Sequence, residues 1–224
     1  MRGKSGVAAE ILTALPRSDA GAIEPGLSPL SANLASGAFT YQVPIELPPG
    51  RVKDELALAL TYELRAHGNG PFGVGWSVPV LAVERRVDRG VPRYGATDAF
   101  ALADGTPLGQ VAPAEYRPLV ERAFRRIRFV GPHWEVVETD GTRLLFGETE
   151  ESRLFDPAQP ERVARWLLAR REDTNGNVVR FRYERDLAVK RPEGYAAAQL
   201  YLRQVEYVNR GPADYLNVVR FDYE

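Results

Sequence analysis

The sequence predicts an all-β fold of antiparallel hairpins and twisted sheet, preceded by an extended N-terminal leader. Three observations carry that reading. Apolar and polar residues alternate in segment after segment, as in Val179, Phe181 and Tyr183 against Arg180, Arg182 and Glu184. Gly and Pro, 20 and 17 of 224 residues, are spread along the chain and punctuate those segments. One strand-like octapeptide nearly recurs: Asn177-Val-Val-Arg-Phe-Arg-Tyr-Glu184 matches Asn217-Val-Val-Arg-Phe-Asp-Tyr-Glu224 everywhere except Arg182 against Asp222.

The elements follow in chain order. Val7, Ile11 and Leu15 have helical spacing, but Ser5 to Leu15 is short and stops at Pro16, so residues 1–20 are expected to be a flexible tail. Pro16 to Ser36 is rich in Pro, Gly, Ser and Ala and suits an extended leader. Phe39, Tyr41 and Val43 alternate before Pro44, and the Pro48-Pro49-Gly50 turn predicts a hairpin. Leu56, Leu58, Leu60 and Tyr62 alternate with Ala57, Ala59 and Thr61, which predicts a strand covered on both faces. Further strands are expected at Val80–Val87, Phe124–Val130, Trp134–Thr139 and Arg143–Phe146, the last two joined across Asp140-Gly141.

Pro157 to Arg171 is ambiguous, because Val163, Trp166, Leu167 and Arg170 share one helical side after a potential Asp156-Pro157 cap. Asn175-Gly176, a type I′ hairpin signal, favours strand for Val163–Arg171. The repeated octapeptide implies edge-paired ribbons, each burying its Val/Phe/Tyr face. The last predicted strand reaches Glu224 with no turn after it, so further strands are expected to follow. One β domain is therefore expected over residues 21–224, truncated at its C-terminal end.

Composition narrows function. Lys and Arg total 29 against 30 Asp and Glu, a formal charge of -1, so no single-sign field draws the whole chain to nucleic acid or anionic lipid. With no Cys, disulfides, thiolate metal sites and Cys nucleophiles are excluded. No apolar run is long enough for a membrane span, and no Sec-type signal precedes Ser18.

The motifs that could carry chemistry are weak ones. Gly68-Asn-Gly-Pro-Phe-Gly73 fits the dinucleotide pattern GxGxxG, but Pro71, Gly75 and Pro79 forbid the helix that would have to start there. Those glycines are expected to turn the backbone sharply while Phe72 and Trp76 enter a core. Glu148 and Glu150 imitate the paired glutamates of ADP-ribosyltransferases without the accompanying Ser-Thr-Ser strand. His67 and His133 lack metal-ligand spacing. The rings and charges of Arg180 to Tyr183 fall on opposite faces, which suits a core and a solvated side better than base stacking. Trp76, Trp134 and Trp166 stand in apolar surroundings, leaving a sugar-stacking module as a further alternative. No catalytic residue, cofactor ligand or metal ligand is nominated, so the expectation is a non-catalytic protein.

Gly68-Asn-Gly-Pro-Phe-Gly-Val-Gly-Trp76 resembles the GNGPFGxGW block of SpvB-type N-terminal domains, found in the B components of Tc toxin complexes. Phe39 to Pro44, Pro49-Gly-Arg51 and Gly90-Val-Pro-Arg-Tyr94 resemble that family's flanking blocks, as do Tyr116-Arg-Pro118, His133-Trp134, Glu151-Ser-Arg153, Asp156-Pro157 and Tyr201-Leu202. Asp173 to Tyr183 also resembles one Rhs/YD repeat, D-x-x-GN-x(3–5)-Y. The resemblance implies a piece of an Rhs-like β shell enclosing a toxic C-terminal polypeptide. Its partners would be the propeller and Rhs segments of the B component, a C component carrying the cargo and an A component pore. It implies an extracellular destination after a cytoplasmic stage. The ADP-ribosyltransferase of some relatives lies in a separate C-terminal domain and is not carried over.

Overall fold

The computed structural model describes residues 31–33, 38–52, 56–63, 69–70, 72–88, 90–95, 97–121, 123–186, 190–191, 194–195 and 199–223. The expected tail and most of the leader lie outside them. Two compact units emerge: the described residues within Met1–Glu46 and Leu58–Val78, and those within Leu47–Ala57 and Pro79–Glu224.

In the first unit, β1 (Ser31–Asn33), β2 (Ala38–Pro44), β3 (Ala59–Glu63) and β6 (Trp76–Ser77) form one sheet in that order, while β4 (Asn69–Gly70) pairs with β5 (Gly73–Val74). The end of the expected leader is thus a strand, with Ser31 opposite Thr40. β2 and β3 pair antiparallel as expected, in register from Thr40 opposite Glu63 to Pro44 opposite Ala59, but the expected turn at Pro48-Pro49-Gly50 does not form, and those residues lie in a long connection between the two strands. Leu58 and Thr61, which point to opposite faces, are both buried, as expected of a strand covered twice.

The second unit contains a closed ring. Its strands are β7 (Ala82–Arg85), β8 (Phe100–Leu102), β9 (Pro107–Ala112), β10 (Glu115–Pro118), β11 (Arg126–Val130), β12 (His133–Val137) and β13 (Arg143–Phe146), with β14 (Arg153–Asp156) and β15 (Gln159–Glu172) following. Each strand from β7 to β13 pairs with the next, and β15 pairs with both β13 and β7. All pairings are antiparallel. Closure leaves these eight strands no free edge, which is how small β proteins avoid unwanted pairing. The ambiguous segment is therefore strand from Gln159 onward, after a turn at Pro157-Ala158, and the 14-residue length of β15 is what allows it to span the seam.

The strands of residues 100–118 were not expected. They are short, three to six residues, and Pro107, Gly109 and Pro118 break up their alternation. Phe124, expected in a strand, lies outside β11 with φ 48° and 80% exposure.

From β15 the sheet continues as a meander through β16 (Val178–Asp186), β19 (Gln199–Gly211) and β20 (Asp214–Arg220), with β17 (Lys190–Arg191) and β18 (Gly194–Tyr195) pairing only with each other. The turn at Asn175-Gly176 is not type I′, since Gly176 (φ 78°) has positive φ and Asn175 does not. The Gly176 N–H reaches the Asp173 carbonyl, giving a four-residue turn that ends in a left-handed glycine. The Asp173 carboxylate imposes this shape by accepting from the Asn175 N–H at 2.8 Å, the Asn177 N–H at 2.9 Å and the Asn177 side-chain amide at 2.7 Å. Asp140-Gly141 closes its hairpin with the same backbone turn, the Gly141 N–H reaching the Glu138 carbonyl, but there the carboxylate belongs to the third residue of the turn and accepts the Thr142 N–H at 2.8 Å.

The two octapeptides flank a single strand, because β16 and β20 lie on either side of β19. Phe181 and Val219 both face Val205, so the copies are offset rather than superposed in register. Their tyrosines nevertheless do the same thing. Tyr183 Oη donates to the Leu168 carbonyl and Tyr223 Oη to the Leu202 carbonyl, each at 2.6 Å, tying each copy to the strand before its own. Burial pushes both phenols up, Tyr223 to about 12, so both remain donors at neutral pH.

Candidate functional site

The ring has a filled interior. Phe100, Tyr116, Phe129, Trp134 and Trp166 form an aromatic cluster with centroid separations from 4.8 Å for Tyr116–Trp134 to 6.0 Å for Trp134–Trp166. Trp134 and Trp166 are 0% and 1% exposed, and Trp166 Nε1 donates to the Pro132 carbonyl at 2.9 Å. Neither indole can stack on a sugar in solution. Trp76, in the other unit, is half-buried against Tyr62 at 5.3 Å and Tyr41 at 6.3 Å.

A buried arginine joins this cluster to the loop carrying Gly90-Val-Pro-Arg-Tyr94. The Arg85 guanidinium lies 5.1 Å from the Phe100 centroid, 5.3 Å from Tyr94 and 5.5 Å from Trp166. Its Nε donates to the Val163 carbonyl and its Nη1 to Asp98, both at 2.8 Å. Asp98 also accepts the N–H of Tyr94 at 2.7 Å and of Arg93 at 3.1 Å, holding Tyr94 at φ 59°. Sequence reasoning missed this pair, since nothing in an alternating strand tells which distant carboxylate will meet its arginine.

Burial pushes the Asp98 carboxyl up, but the two N–H groups and Arg85 outweigh it and hold it below the usual carboxylate range. The stabilisation is then fully present above the unfolded value of about 4 and is lost as pH falls through the folded value. Asp98→Asn is expected to cost about 2 kcal/mol at neutral pH. That gap should shrink below about pH 4, as read from urea unfolding at a series of pH values. A gap that stays constant into acid would sink the assignment.

The glycine-rich block is a tight hairpin in which no helix begins. Asn69 pairs with Val74 and Gly70 with Gly73, while Gly73 and Gly75 have φ of 100° and 80°. A Cβ on Gly75 would stand 2.7 Å from the Tyr62 ring. The block therefore turns the chain beside packed aromatics, as the sequence implied.

The glutamate pair is separated by its contacts. Glu148 accepts from Arg170 Nε at 3.0 Å and Nη2 at 2.7 Å, a two-pronged salt bridge. Glu150 is exposed in the 3-10 turn Glu150–Ser152 and lines an open groove with Thr149, Glu151, Arg182 and Arg185. Glu148 is thus held by Arg170, while Glu150 faces the open groove. His133 begins β12, His67 lies outside the described residues, and among those residues no three metal-binding side chains gather. Arg182 ion-pairs with Glu206 and Glu151, while Phe181 and Tyr183 are buried behind it. The alternation is therefore a core and a solvated face, as expected.

Comparison with known proteins now identifies the lineage. A family model described as SpvB, Salmonella virulence plasmid 65kDa B protein, matches residues 33–223. The mono(ADP-ribosyl)transferase SpvB of Salmonella typhimurium is 31% identical across 79% of the chain, and that of Salmonella dublin equally so. The chain spans only 35% of the length of these relatives. The crystal structure of TcdB2-TccC3 superposes on 87% of the chain with TM-score 0.74 and 26% identity, the chain covering 11% of it. The N-terminal domain of effector protein SpvB from Salmonella typhimurium strain LT2 superposes on 76% with TM-score 0.61 and 27% identity, the chain covering 66% of it. In the Photorhabdus luminescens Tc holotoxin pore the figures are 88%, 0.73 and 26%, with 11% covered. Through a match that spans nearly its whole described length, this all-β chain belongs to the SpvB family.

Proposed function

We propose that residues 21–224 form a non-catalytic structural segment of a toxin-complex B component, contributing strands to a hollow β shell around a toxic C-terminal polypeptide. The likeness to TcdB2-TccC3 across 87% of the chain supports this most directly. The physical chemistry agrees with it. The ring interior is filled by side chains, the tyrosine tethers repeat a structural unit, and Glu148 is engaged by Arg170. On this reading the partners are the remaining propeller and Rhs segments of the B component, a C component carrying the cargo and an A component pore. The assembly acts outside the producing cell after a cytoplasmic stage.

A chimaera tests it. The corresponding segment of TcdB2 is replaced by this chain and the product is expressed with TccC3. A full-size, protease-resistant complex is expected, and failure to assemble while the isolated chain folds would overturn the reading. The relatives' named activity supplies the control. NAD consumption by the isolated chain is expected to equal the buffer blank, and consumption abolished by Glu150→Ala would install an ADP-ribosyltransferase instead.

A further inference from the structure

The aromatic cluster fills the ring toward the end that carries Arg85, and at the other end the filling stops short. There β7, β9, β11 and β13 begin and β8, β10 and β12 end. Trp134 and Phe100 meet inside the ring, so Val136 and Leu102, two residues further along their strands, point inward as well. Among the described residues, Leu81, Leu102, Val136, Leu144 and Phe146 line a cavity of about 70 Å³ at this mouth. Val136, Leu144 and Phe146 are buried, whereas Leu81 is 56% exposed. Alternation from Ile127 and Val136 brings Arg125 and Glu138 to the rim, where Arg125 Nε donates to Glu138 at 2.8 Å. Asp104 stands on the same rim and interacts with the charge of Arg125. Among the described lining residues the rim therefore sets one cation against two carboxylates, an excess of one negative charge.

Size and charge together say what such a mouth accepts. Pockets for small molecules run to about 300 Å³ or more, and a benzene ring needs roughly 150 Å³. A space half that size with an aliphatic lining suits one branched aliphatic side chain, the usual anchor at the centre of a larger protein contact. A rim with excess negative charge is complemented by a cation beside that anchor. We propose that the mouth docks another segment of the B-component shell, which inserts one leucine, isoleucine or valine side chain and sets a neighbouring lysine or arginine against Asp104 and Glu138. The inference rests on the shell reading and names a contact within it.

The chimaera of TcdB2 expressed with TccC3 tests it. Leu81→Glu puts a charge at the entrance and Ala103→Trp lays a ring across it, both at exposed positions, so the isolated chain should keep its unfolding midpoint. Each should lower the yield of full-size complex about tenfold against the unsubstituted chimaera. Asp104→Asn keeps an acceptor for the Thr106 N–H, now bonded at 2.9 Å, but removes the charge, and should lower the yield about threefold at low salt and less at high salt. Benzoylphenylalanine in place of Leu81 identifies the occupant: illumination should join it to a TcdB2 segment in which a branched aliphatic residue stands beside a lysine or arginine. This cross-link and Asp104→Asn decide the matter even where a bulkier variant fails to fold. An unsubstituted chimaera that does not assemble removes the shell reading and this contact with it. Assembly that is indifferent to Leu81→Glu and Ala103→Trp removes the contact alone. So does a cross-link confined to this chain, to a second copy or to TccC3.

Discussion

Trp166→Ala is expected to lower stability by about 4 kcal/mol, which is a large share of what holds a domain of this kind together. The indole is 1% exposed and touches Phe100, Phe129 and Trp134. Its loss leaves a cavity that the neighbouring strands cannot close, because ring closure fixes their spacing. It also strands the Pro132 carbonyl and removes one of the rings beneath Arg85. Trp166 lies on β15 directly between Val83 of β7 and Arg153 of β14, so the loss falls on the seam. Urea unfolding followed by circular dichroism measures it, and a midpoint within error of the wild type would show that the ring does not depend on this residue.

Gly147→Ala is expected to cost about 3 kcal/mol or more, although it adds a single methyl group. Gly147 has φ 67°, and a Cβ there would stand 2.3 Å from Trp166 Cδ1. The backbone cannot move aside. The Gly147 N–H donates to the Leu167 carbonyl at 2.8 Å, and its carbonyl accepts from Arg153 Nε at 2.6 Å. Gly176 is the control, since its φ of 78° is similar but nothing lies within 4 Å of the added carbon. Gly176→Ala should cost about 1 kcal/mol, the backbone strain alone. In a Trp166→Ala background the ring contacts at 2.3 and 3.0 Å are gone and only the Cβ at 3.1 Å remains, so the cost of Gly147→Ala should fall most of the way toward that value. Equal costs at the two glycines in the wild-type background would refute the steric account.

The two positions also mark how far the sequence could be read. Gly147 gave no hint of its importance, because its neighbour Trp166 is brought to it only by the pairing of β13 and β14 with one edge of β15. The Arg85–Asp98 pair is equally silent in sequence, since it depends on a loop folding back across the ring. By contrast, the GNGPFG block, the Asp173 turn and the Val/Phe/Tyr strands are local arrangements. Their glycines, carboxylates and alternating side chains act within a few residues of one another and were legible at once, although the Asp173 carboxylate changed the type of turn.

By itself the sequence determined the β class, the turn sites, the separation of buried rings from solvated arginines, and membership of the SpvB family. The first three follow from backbone preferences and from short-range periodicity, and the family from the likeness of motif blocks such as Gly68 to Trp76. Only the tertiary structure decided that eight strands close into a ring, that a 14-residue strand forms its seam, and that Glu148 is engaged by Arg170. Strand pairing joins residues far apart in the chain through backbone groups that every residue carries alike, so which edges meet is set by packing of the whole and leaves no mark on any one segment.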